Sequence, residues 1–151
     1  MRVHLGSDHA GHDLRAQLIA VLGREGFETV DHGPQHYDPD DDYPAYCIAT
    51  AAAVVADPGS RGVVIGGSGN GEAIAANKVD GVRCAVAWSE ESARLGREHN
   101  DANVLSLSAR LYPAERGEAI LLTFLATPFS KDERHVRRIG QLTAYERSRR
   151  G

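Results

Sequence analysis

The residues best suited to chemistry lie in one stretch, residues 62–78, which reads GVVIGGSGNGEAIAANK. Val63, Val64 and Ile65 have the β-branched composition of a buried strand. Gly66, Gly67, Ser68, Gly69, Asn70 and Gly71 follow, and Glu72 to Lys78 read as an alanine-rich helix. Strand, glycine-rich turn and helix start is the geometry that turns backbone N–H groups toward an anion. Glu72 is out of place in a phosphate cradle, because it would repel the phosphate. Beside a developing oxyanion it stands where a general base is useful. It also suits the helix dipole as a first-turn acid, and this stretch alone leaves both roles open. Two nucleotide loops fail here. Counted from Gly67 and Gly69, the third glycine of G-x-G-x-x-G is Glu72; counted from Gly66 and Gly71, Glu72 replaces the P-loop lysine.

Four further groups are candidates. Asp8 and His9 follow the first apolar run, and His99 and Asn100 precede the last one. Arg110 follows that last run. Arg134 and Arg138 are one turn apart on a helix face, a spacing that matches a phosphate monoester. Each alone has an ordinary alternative: a capping histidine, a helix-end turn, a solvated charge. Together they describe a carboxylate, an oxyanion-type turn, two histidines and an arginine clamp. Proton transfer beside the carbonyl of a phosphorylated sugar uses these parts without a metal or a cofactor.

Residues 35–42 form a polar loop with four aspartates, near His32 and His36. No fixed ligand spacing on a rigid element supports a metal there, so an exposed acidic loop is expected. Cys47 and Cys84 lack C-x-x-C spacing and read as free thiols in a reducing cytoplasm.

The elements that must position these groups alternate. Strands are expected at Val3–Ser7, Phe27–Val30, Val63–Ile65, Val82–Ala87 and Ala102–Leu107. Helices are expected around Leu14–Leu22, from Tyr43 to about Ala56, over Glu72–Lys78, after an N-cap at Ser89, over Pro113–Leu125 and from Lys131 to about Arg149. Five strands and about five intervening or following helices make an α/β, doubly wound, mostly parallel sheet. Ligands of such sheets bind beyond the carboxyl ends of strands at a switch point. Asp8-His9, Gly67–Glu72 and His99-Asn100 are all expected there.

The length, 151 residues, suits a single domain over 1–151. The net charge of −4 argues against nucleic acid. Residues 131–151 carry seven basic and three acidic side chains, leaving −8 on the rest. No run is long enough to span a membrane and the start lacks a signal-peptide core, so a cytoplasmic protein is expected.

Three motifs combine into a family resemblance. Gly6-Ser7-Asp8-His9-Ala10-Gly11, Gly66–Gly71 with Ala75-Ala76-Asn77-Lys78, and Arg97-Glu98-His99-Asn100-Asp101-Ala102-Asn103 together resemble the ribose-5-phosphate isomerase B family of sugar-phosphate isomerases. The resemblance runs from Met1 to about Arg138. It implies a Rossmann-like three-layer fold and interconversion of ribose 5-phosphate and ribulose 5-phosphate through a cis-enediolate, without cofactor or metal. It also implies a homodimer with sites at the interface, the helix of residues 131–150 being expected there, with pairing into tetramers left open. By resemblance Asp8 and His9 contact substrate, and Gly67, Ser68, Gly69, Asn70 and Gly71 form the anion hole. His99 and Asn100 open the furanose ring and bind the sugar, and Arg110, Arg134 and Arg138 bind phosphate and sugar. Many members carry a cysteine base just before the Gly-x-Gly turn. Here Ile65 or Gly66 holds that place, and Glu72 matches the branch that uses a glutamate. Ser68 is expected to help move the hydroxyl proton. A hexose 6-phosphate substrate, or a non-catalytic sugar-phosphate or nucleotide sensor, are the alternatives.

Overall fold

The computed structural model describes residues Met1–Gly151. Five strands, β1 (Arg2–Ser7), β2 (Glu28–Asp31), β3 (Arg61–Gly66), β4 (Cys84–Val86) and β5 (Val104–Ser108), form one sheet in the order β2-β1-β3-β5-β4. Every pairing is parallel. Six α-helices accompany it, one for each stretch expected to be helical: α1 (His12–Arg24), α2 (Tyr43–Ala56), α3 (Asn70–Ala76), α4 (Glu90–Asn100), α5 (Ala114–Ala126) and α6 (Glu133–Ser148).

The apolar runs explain the layering. Val63, Val64 and Ile65 are all fully buried, as expected for a parallel strand covered on both faces. Val63 and Ile65 face one way, with Leu14, Leu18 and Leu22 of α1 and Ile120, Leu121 and Phe124 of α5. Val64 faces the other way, with Cys47, Ala51 and Val54 of α2 and Ala75 and Ala76 of α3. Each fully buried leucine or phenylalanine contributes about 1.5–3 kcal/mol. The chain first winds outward from β1 to β2, then returns through α2 to β3 on the opposite side of β1. The reversal between β1 and β3 is the switch point where their carboxyl ends splay apart.

Among the boundaries that differ from the sequence pattern, those of β4 and β5 have a local cause. β4 is shorter than expected because the Arg83 amide bonds the Asn103 side chain, not a neighbouring strand. β5 begins at Val104 because Asp101 adopts a left-handed cap at φ 45° and the Ala102 amide still bonds Gly96 of the preceding helix. Ser89 caps α4, its hydroxyl accepting from the Ser92 amide at 3.1 Å.

Candidate active site

At the carboxyl end of β1, Asp8 is buried, and its Oδ1 accepts from the amides of Ala10 at 2.9 Å and Gly11 at 3.3 Å. The chain then tightens into a single 3-10 turn that puts His9 at the edge of the sheet. His9 is held from across the edge by Asp41. Asp41 Oδ1 accepts the His9 backbone N–H at 2.9 Å and lies 2.7 Å from Nδ1. Hydrogen bonding to Asp41 raises the His9 pKa above its ordinary value, aided by the charge of Asp8 and opposed by Arg110.

The glycine turn after β3 is fastened from behind. Ser106 and Ser108, two residues apart on β5, donate to the carbonyls of Gly69 and Gly67, each at 2.6 Å. Gly69 takes φ 86°, which only glycine adopts without strain. With those carbonyls drawn toward β5, the amides of Gly67 and Ser68 find no acceptor in the chain. Ser68 is exposed, and its hydroxyl accepts from the Asn70 amide at 3.2 Å. Arg110 lies over the turn, with Nη1 3.2 Å from where a Cβ on Gly67 would stand. The tyrosine ring of Tyr43 closes the far side against Gly71.

Glu72 is only 4% exposed, and its carboxylate folds back over Gly66. A Cβ on residue 66 would fall 1.7 Å from Glu72 Oε1 and 2.0 Å from Cδ. Any side chain at 66 therefore excludes this carboxylate position, so a cysteine there and a glutamate at 72 compete for one volume. Burial pushes the Glu72 pKa up, and the charge of Asp8 adds to this. Backbone N–H groups of Glu72 and Gly69 oppose it without reversing it. Cys47 lies behind the carboxylate; burial and the Glu72 charge push its thiol well up, so it stays protonated. Burial likewise pushes Cys84 up to about 12. Both cysteines are free.

His99 and Asn100 are not at this edge. They end α4, which runs back along the sheet for 11 residues, about 16 Å, to the amino end of β5. Asn100 there carries the carbonyl that accepts from Arg83 Nε at 2.9 Å. Lying just before β5 in the chain put the pair at the wrong end of a parallel strand. His99 instead stacks on His135 of α6, ring centroids 4.4 Å apart and 20° from coplanar. His135 is buried, and its Nε2 has no partner in the chain. Burial lowers its pKa, and the positive charges of His99, Arg134 and Arg138 lower it further. Arg134 and Arg138 are exposed beside it. The apolar stripe of α6 is bare: Val136, Leu142 and Tyr145 are at least half exposed. The chain thus brings together Asp8, His9, the turn of Gly67 to Gly71, Glu72 and Arg110. It gathers His99, Asn100, Arg134 and Arg138 separately.

A cavity of about 580 Å³ lies between α6 and the β4 edge, lined by residues such as Arg83, Asn100, Leu142 and Glu146. It contains none of the buried carboxylates, so the chemistry argues for the open β1–β3 edge instead. Ligand-type atoms of Asp8, His9 and Asp41 lie within 4.8 Å of one another. His9 Nδ1 and one oxygen of each carboxylate are already hydrogen-bonded within the protein, which leaves that trio a poor preformed cage.

Three residues that hold His9 and the glycine turn in place escaped the sequence reading. Asp41 is a correction, since its side chain is 6% exposed within a loop expected to be exposed. Ser106 and Ser108 carried a signal, two hydroxyls at alternate positions of an otherwise apolar strand.

Comparison with known proteins bears on this arrangement. Residues 3–142 match the family described as Ribose/Galactose Isomerase. The chain is 55% identical over 148 residues to ribose-5-phosphate isomerase B of Mycolicibacterium paratuberculosis, covering 98% of this chain and 93% of that one. The corresponding Mycobacterium tuberculosis protein is 54% identical, covering 98% and 91%. The crystal structure of ribose-5-phosphate isomerase B from Mycoplasma genitalium with bound ribulose-5-phosphate superposes with a TM-score of 0.93 at 37% identity, covering 97% and 96%.

Proposed function

The chain belongs to the ribose/galactose isomerase family and interconverts D-ribose 5-phosphate and D-ribulose 5-phosphate, and we propose that it does so through a cis-enediolate with Glu72 as the base. One observation carries this assignment. A buried carboxylate, less acidic than an ordinary glutamate, lies beside a glycine turn with unpartnered amides. Such a carboxylate removes and returns a carbon-bound proton, and the amides receive the negative charge that appears on oxygen.

In this mechanism His99 protonates the ring oxygen while Asp8 takes the proton of the anomeric hydroxyl, so the C1–O bond of the ring breaks and the open-chain aldehyde forms. Glu72 then takes the C2 proton and delivers it to C1. The amides of the turn from Gly67 to Gly71 stabilise the enediolate oxygen, and Ser68 passes the hydroxyl proton between O1 and O2. His9, Arg110, Arg134 and Arg138 hold the phosphate, and Asn100 holds the sugar.

A complete site on these lines needs two chains. Glu72 and His99 sit at opposite ends of the sheet, and α6 carries an exposed apolar stripe beside its arginines. A second copy that covers this stripe brings His99, Asn100, Arg134 and Arg138 to the Glu72 edge of its neighbour. A cytoplasmic location suits the two free thiols. No helix is long and apolar enough to cross a membrane.

The test is exchange of the C2 proton. Glu72→Gln keeps the side chain's size and removes the base. It is expected to abolish washout of deuterium from C2 of ribose 5-phosphate while calorimetry still detects binding. Washout at near the wild-type rate means another group is the base.

A further inference from the structure

Asp41 has a role that the acidic loop around it does not share. Its neighbours Asp38, Asp40 and Asp42 are exposed, whereas its own side chain is 6% exposed. The loop is shaped to deliver it: the Asp40 amide bonds Asp38 Oδ1 at 3.0 Å, and the Asp41 amide bonds the Asp38 carbonyl at 3.2 Å. Asp41 Oδ1 then accepts twice from His9, and Oδ2 is buried with no partner at all. A buried carboxylate with one bare oxygen is costly unless a positive charge lies against it. His9 is the titratable group in contact with it.

We propose that Asp41 is a positioning residue that keeps His9 an imidazolium, so that the ring offers an N–H, not a lone pair, to the substrate phosphate. With Nδ1–H given to Asp41, a neutral His9 ring would present an unprotonated Nε2 to phosphate oxygens, which repel it. Only the doubly protonated ring donates to Asp41 and to phosphate together. The two contacts to one oxygen fix the ring relative to the backbone as well. The proposal rests on the isomerase reading for the identity of the phosphate, though not for the His9–Asp41 pair itself.

Three charged groups bear on His9. Asp41 from the loop before α2 and Asp8 from its own turn favour the charged ring, and Arg110 from the end of β5 disfavours it. The Tyr37 ring stands edge-on to His9 at 6.4 Å and to His12 at 5.7 Å, and brings no charge at neutral pH. Neutralising Asp41 removes the group that favours the charged ring most.

The experiment compares the full-length wild type with Asp41→Asn, which keeps shape and drops the charge. His9 is followed by its ring carbon resonance, assigned with His9→Gln. The expected result is a His9 titration displaced downward by about one pH unit or more. The KM for ribose 5-phosphate should rise about tenfold at pH 8, with kcat within about twofold of wild type. Asp41→Glu should recover part of the loss. In a His9→Gln background Asp41→Asn should add little, because the two act as a unit. An unmoved His9 titration overturns the proposal, as does a fall in kcat with KM unchanged, or full additivity with His9→Gln. Affinity for inorganic phosphate, read by the same resonance, tests the pair without turnover. If wild type turns over ribose 5-phosphate and Asp41→Asn changes neither reading, the Asp41 role fails alone. If wild type is inactive while phosphate affinity falls in Asp41→Asn, the isomerase reading fails and the pair stands.

Discussion

The β1–β3 edge and the α4–α6 corner both gather histidine with arginine, and they are held in opposite ways. At the edge the side chains are held within the chain, while the amides of Gly67 and Ser68 and the Asp41 Oδ2 stay open. Asp8 caps its own turn, Asp41 clamps His9, and β5 serines hold the glycine turn. At the corner Arg134 and Arg138 reach into solvent, His135 keeps a bare buried nitrogen, and the apolar stripe lies open. The edge is preorganised, whereas the corner leaves its arginines and apolar stripe open, as the proposed pairing of two copies requires. Groups that must stabilise a transient charge gain from being rigid before substrate arrives. Groups that clamp a phosphate can be supplied by association.

The contrast breaks most sharply at Gly66. Gly66→Ala puts a methyl group where the Glu72 carboxylate lies. The fold survives, because the backbone there is an ordinary strand end, and the carboxylate is displaced. We expect kcat to fall about 100-fold or more, within the usual range for a lost general base, with a smaller change in KM. Retained kcat in steady-state kinetics would detach catalysis from this packing.

Next in size is the corner. Arg138→Ala is expected to raise KM for ribose 5-phosphate by a factor corresponding to about 2 kcal/mol and to leave the far-UV spectrum unchanged. An unchanged KM would remove α6 from the phosphate site.

A smaller effect separates holding the turn from doing chemistry. Ser106→Ala unties the Gly69 carbonyl inside the protein and is expected to cost about 1–3 kcal/mol in a denaturant melt. It should slow turnover by loosening the amides, without moving the pH profile.

Charge on Glu72 sharpens the comparison further. Its folded pKa lies above the unfolded value, so its stabilising contribution is full below the unfolded pKa and is lost as pH rises through the folded one. Glu72→Gln is therefore expected to raise Tm at pH 8 relative to wild type, with the gain vanishing toward pH 4. With Glu72 as the proposed base, the same titration is expected to act on activity in the opposite sense, kcat/KM rising as pH climbs through the Glu72 pKa and the carboxyl loses its proton.

The smallest expected effect is none. Exhaustive chelation should leave turnover unchanged, and loss restored by a divalent ion would give the Asp8, His9 and Asp41 trio a role as ligands.

Much of this was legible in the sequence because the signals were local. The β-branched run of β3, the glycine turn and the capped start of α4 each declare themselves within a few residues. The apolar stripe of α6 lies in the sequence at helical spacing, as Val136, Ile139, Leu142 and Tyr145, though its exposure does not. Asp41 was not, because nothing separates it from the aspartates beside it until the loop folds over β1, 32 positions away from His9. His99 and Asn100 were singled out in the sequence, yet placed at the wrong end of the sheet. Nearness in the chain to β5 conveys contact with a strand, not which end of a parallel strand is meant. Gly66 read as part of a permissive turn, although its role is to leave room for a carboxylate six residues later.

The division of the site between two copies is the central claim, and mixing inactive variants tests it most directly. Glu72→Gln removes the base proposed for the edge, and His99→Asn removes the acid proposed for the corner. Each homodimer should be inactive. After co-refolding, each mixed dimer has one site with both wild-type residues, so equal mixing should restore about a quarter of wild-type activity. No recovery, with mixed dimers demonstrated by native mass spectrometry, would contradict the shared site and put Glu72 and His99 in different functions.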